Sequence, residues 1–132
     1  MPIAWKIEQA CIFMESTDPS TLHEWKAAVD AALEDPAFRP GMPVVHDARR
    51  LFRVPTPDEA RERVAFLRAR GREAQVARWA IVVSGSAQYG MGRLAGFANE
   101  AAPPGLEFRV FRDLEEAREW ARGKSMESGH VA

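Results

Sequence analysis

The chain has little cysteine, few lysines, one tyrosine and no long apolar run, and each shortage excludes something. Cys11 is the only cysteine of the 132 residues, so an intramolecular disulfide and a cysteine-based zinc site are both excluded. His23, His46 and His130 are scattered without H-x-x-x-H or H-x-H spacing, so no metal site is expected. No stretch reaches the ~20 apolar residues of a membrane span. The start, Met1-Pro2-Ile3-Ala4-Trp5-Lys6, lacks the basic-then-apolar pattern of a secretory leader, and a cytoplasmic protein is expected. Net charge is only −1, so no global field favours nucleic acid or anionic lipid. No G-x-S-x-G elbow surrounds Ser84 or Ser86, which argues against a serine hydrolase.

What is present suits one α/β domain. The apolar fraction is 46% and the charged fraction 28%, and a chain of this length buries about two thirds of its unfolded surface. Trp5-Lys6-Ile7-Glu8 alternates, and Ala10-Cys11-Ile12-Phe13-Met14 is apolar, which reads as two paired strands with the turn near Glu8-Gln9. A first helix follows, with Leu22, Trp25, Val29, Ala32 and Leu33 on one face. Its start is either Asp18 with Pro19, or a Thr21/Glu24 capping box.

Pro43-Val44-Val45-His46-Asp47 reads as a buried strand. Thr56-Pro57-Asp58-Glu59 opens a second helix, with Ala60, Val64, Leu67 and Gly71 inward and Arg61, Glu62, Arg63, Arg68 and Arg70 largely outward. Trp79 to Ser84 is a continuous apolar run, as an interior parallel strand requires. Ser86 to Glu100 reads as a third helix and Phe108 to Phe111 as a last strand. Asp113 caps a final helix that Gly123 stops, with Leu114, Ala117, Trp120 and Ala121 inside. The expected order is β-β-α-β-α-β-α-β-α: a mostly parallel mixed sheet of about five strands with four helices, over residues 1–122, and a polar tail over 123–132.

That order, with three stretches, resembles the STAS fold of bacterial anti-sigma-factor antagonists, and more closely its SpoIIAA-like group, which is distantly related in fold to CRAL-TRIO lipid-binding domains. The stretches are Asp35 to Gly41 before Val44-Val45-His46-Asp47-Ala48-Arg49, Ala80-Ile81-Val82-Val83 before Tyr89-Gly90-Met91-Gly92-Arg93, and Val110 to Trp120. The resemblance implies a binding or regulatory module more than an enzyme, and the leading expectation is a non-catalytic module that recognises a partner protein or a small apolar or anionic ligand; no cofactor is expected, and a homodimer is among the expected assemblies. Two alternatives are a carrier of a lipid-like molecule in an apolar cavity near Leu67, Met91 and Phe97, and an uncharacterised enzyme.

In a parallel sheet, ligands gather beyond the carboxyl ends of the strands. Asp47, Arg49, Ser84 and Ser86 belong there, with Arg112 and Asp113, and Tyr89 and Arg93 lie one helical turn apart behind them. By resemblance, the serine that antagonists phosphorylate falls near Thr56, where Val54-Pro55-Thr56-Pro57 departs from the family's run. Nearby Arg49, Arg50 and Arg53 favour a phosphate there, but Pro57 removes an amide, and a plain N-cap outweighs the phosphosite. Capping likewise outweighs anion binding at Ser84 and Ser86. Asp47 with Arg49 is either a ligand clamp or a structural ion pair. Cys11 is expected to be an inert core thiol.

Overall fold

The computed structural model describes residues 3–50, 56–75, 78–85 and 107–123. The strands are β1 (Ile3–Glu8), β2 (Cys11–Thr17), β3 (Val44–Arg50), β4 (Arg78–Val82) and β5 (Glu107–Phe111). The helices are α1 (Leu22–Leu33), α2 (Pro57–Ala74) and α3 (Leu114–Arg122). The strands form one mixed sheet in the order β1-β2-β3-β4-β5, antiparallel between β1 and β2 and parallel elsewhere. The α/β class and the five strands expected from the sequence are therefore present. The helix expected over 86–100 and the tail over 124–132 lie outside the described residues.

Alternation along each strand sorts the core into two layers. Ile12, Met14, Val44, Ala48, Trp79, Ile81, Val83 and Phe108 face α1 and α2, where they meet Trp25, Ala28, Val29, Ala32 and Leu67. Rings of Phe66, Trp25, Trp79 and Phe108 follow one another across this layer at centroid spacings of 5.5, 6.1 and 6.0 Å. Cys11, Phe13, Val45, Ala80 and Val82 face the other way, toward Ala117, Trp120 and Ala121 of α3.

Local chemistry sets the element ends. The α1 start is the Thr21/Glu24 capping box, in which Thr21 Oγ1 accepts from the Glu24 amide (3.0 Å) and Glu24 Oε1 from the Thr21 amide (2.8 Å). That decides between the two expected starts. Asp113 accepts from the Glu116 amide at 3.1 Å, and Gly123 closes α3 at φ +83°, a left-handed conformation that suits glycine.

Two readings are corrected. The β1–β2 turn is Gln9-Ala10, at φ +54° and +58°, so Ala10 is a turn residue and β2 begins at Cys11. Positive φ at both central residues matches the right-handed twist of the paired strands, the preference of two-residue hairpins. Arg63 and Arg70 do not point away from the core. Arg63 lies over the Trp25 ring at 4.8 Å and Arg70 pairs with Asp30 at 2.8 Å, so both span the gap between α2 and α1.

Candidate functional site

The two faces of the sheet are covered unequally. Strands lie about 4.8 Å apart, so five strands span roughly 19 Å, whereas one helix is about 10 Å wide. On the second face, among the described residues, α3 rests mainly on β3, β4 and β5 and covers Cys11 and Phe13 of β2, while Ala4, Lys6 and Glu8 of β1 and Glu15 of β2 stay exposed. The result is a groove of about 340 Å³, floored by Ala4, Lys6, Phe13, Glu15, Val45 and Asp47 and walled by Leu114 and Arg118.

The strand register orders the floor into two cross-strand rows. Ala4, Glu15 and Asp47 stand side by side on β1, β2 and β3 toward the carboxyl rim, and Lys6, Phe13 and Val45 form the next row inward. Leu114 and Arg118 come from successive turns of α3, so both side chains reach the same edge of the groove. The Arg118 guanidinium lies 4.5 Å above the Phe13 ring centre, and its nearest described acid, Glu115, is at 3.6 Å.

Asp47 at the rim is clamped by Arg49. Arg49 donates from Nε to Oδ1 (2.9 Å), from Nη2 to Oδ2 (2.7 Å) and from its backbone amide to Oδ1 (3.1 Å). Burial alone would raise the Asp47 carboxyl, but these hydrogen bonds and the Arg49 charge outweigh it and hold the group below the usual range. The same partnership raises Arg49. The pair is thus an internal ion pair with one carboxylate edge bordering the groove.

The other expected residues are placed as follows. Thr56 sits at the start of α2, outside the groove lining, in its own capping box: its hydroxyl oxygen accepts from the Glu59 amide (3.2 Å) and its amide donates to Glu59 Oε1 (2.9 Å). Ser84 lies two residues past the end of β4, and its buried Oγ has no hydrogen-bond partner among the described residues. Beside it, the Arg112 guanidinium comes within 3.3 Å of where a Cβ on Gly85 would stand. Ser86, Tyr89 and Arg93 lie outside the described residues, as do Met91 and Phe97. Leu67 is a core residue beside a void of about 10 Å³.

One chemically notable contact had no motif. Ser16 Oγ and His46 Nε2 are 2.7 Å apart in the α1/α2 layer, and the two residues are 1% and 4% exposed. Burial, with the Arg63 charge second and the Asp47 charge opposing, pushes His46 down to about 4. The imidazole is therefore neutral at pH 7, but sealed from substrate. Cys11 is equally enclosed, and burial pushes its thiol up to about 11 despite the nearby Arg122 and Arg118 charges, so it is no thiolate nucleophile.

Among the described residues no three His, Cys, Asp or Glu side chains gather as a metal site, and no helix is long and apolar enough to cross a membrane. No family model, curated protein or solved structure matches the chain.

Proposed function

We propose that this chain is a non-catalytic binding module of STAS-like type, and that it takes its ligand or partner segment in the groove between α3 and the exposed β1 edge of the sheet. One observation carries the reading: an open groove of small-molecule size, with an apolar floor and charged residues at defined places along it, drawn from β1, β2, β3 and α3. Its rim is the carboxyl side of β3, where Asp47 and Arg49 stand, in keeping with the position at which parallel sheets hold ligands. The strand and helix order of the STAS-like group supports the same reading. The catalytic alternative has less support, because the one Ser–His contact described is buried on the opposite face.

The test is a small-molecule library screened by amide chemical shifts. Hits are expected to move Phe13, Val45, Asp47, Leu114 and Arg118. Ala4→Trp, placed on the exposed groove floor away from both core layers, is expected to abolish those shifts while the rest of the spectrum stays folded. Hits that map elsewhere, or that survive Ala4→Trp, would overturn the proposal.

A further inference from the structure

The groove is not uniformly charged, and its polarity bears on what it holds. At the rim, Glu15 and Asp47 are neighbours across β2 and β3; Arg49 is paired directly with Asp47, and the Glu15 charge acts on it only from a distance. Glu15 makes no ion pair within 4 Å among the described residues. One row inward, Lys6 stands beside Phe13 on β1 and Arg118 lies over the Phe13 ring, so two cations line this part of the groove. Their described acidic partners are distant and wet: Lys6 to Glu8 is 3.5 Å with the glutamate 52% exposed, and Arg118 to Glu115 is 3.6 Å with the glutamate 72% exposed. Contacts of that kind contribute little and yield to a better-placed anion. The Arg118 Nε is also buried without a hydrogen-bond partner among the described residues.

The two rows are two residues apart along the strands, a separation of about 7 Å. Between them the floor is Phe13, Val45 and Ala4, with Leu114 at the side. An anion alone would meet Glu15 at the rim, a cation alone would meet Lys6 and Arg118, and an uncharged apolar body would leave both rows unpaired. Building on the binding-module reading, we infer that the groove accepts a small linear zwitterion, such as an apolar dipeptide or an ω-amino acid, with its ammonium at Glu15 and its carboxylate between Lys6 and Arg118. With Nε buried, the two Nη groups of Arg118 are the donors that would pair with the carboxylate, while the guanidinium stays over Phe13.

The experiment is an amide-shift titration of the full chain at pH 7 with 6-aminohexanoate and with alanyl-leucine, alongside hexanoate and hexylamine. Both zwitterions are expected to bind at least about tenfold tighter than the singly charged compounds. Shifts should centre on Lys6, Phe13, Glu15 and Val45. Glu15→Gln is expected to reduce 6-aminohexanoate to the level of hexanoate, and Arg118→Gln to reduce it to the level of hexylamine, each with an otherwise unchanged spectrum. Equal binding of all four compounds in the groove would overturn the zwitterion inference and leave the binding module standing. If none of the four moves a groove amide, the inference falls too, and the library screen then decides the module separately.

Discussion

At the residue scale, the most consequential interior group is His46. Its ring is held neutral inside the α1/α2 layer, with Ser16 as its hydrogen-bond partner. The folded-state value, about 4, lies below the unfolded value of about 6.5, so the unfolded chain takes up the proton first as pH falls. Stability from this group is complete above pH 6.5 and is lost progressively toward pH 4, by on the order of 3 kcal/mol in total. Denaturant titrations between pH 7 and 4.5 should show that slope, and His46→Leu should flatten it. Ser16→Ala leaves the imidazole unpartnered and is expected to cost about 1–3 kcal/mol at pH 7. Neither residue belongs to a motif. The signal available was parity: Ser16 continues Ile12 and Met14, and His46 lies between Val44 and Ala48, so both belong to the buried side of their strands.

At the element scale, caps were the most legible feature, because a cap is decided by residues three apart. Thr56/Glu59 and Asp113/Glu116 form as the sequence predicts, and of the two expected starts of α1 it is Thr21/Glu24 that forms. At Thr56, Asp should replace the cap nearly neutrally, while Thr56→Ala should lower stability by about 1 kcal/mol in thermal unfolding. The β1–β2 turn was less legible, since Gln-Ala carries none of the Asn-Gly chemistry that marks such turns. Ala10 at φ +58° occupies a conformation that glycine adopts without a Cβ clash, and Ala10→Gly should raise stability by up to about 1 kcal/mol. Gln9 is better left in place, because its Oε1 accepts from Arg122 Nη2 at 2.8 Å and ties the turn to the end of α3.

At the scale of the whole molecule, the position of α3 creates the groove. Ala80 and Ala117 are both fully buried where the helix meets the sheet, and the absence of larger side chains lets α3 lie close over β4. Trp120 anchors the other end under Phe111, with Arg78 donating to its carbonyl oxygen and stacking on its ring. Ala117→Leu should overpack this contact, lowering stability by about 1–3 kcal/mol. It should also shift the amides of Phe13 and Val45, because the wall that carries Leu114 and Arg118 moves with the helix.

By itself, the sequence determined the α/β class, the strand alternation, the helix caps and the buried tryptophans, because each depends on residues close together in the chain or on a period of two or 3.6. Only the tertiary structure decided that Lys6, Phe13, Glu15, Asp47 and Arg118 share one groove. Lys6, Phe13 and Glu15 share one hairpin, but Asp47 and Arg118 are distant from it in sequence, and their meeting depends on strand register and on a helix too narrow to cover five strands. Neither property can be read from any single stretch of the chain.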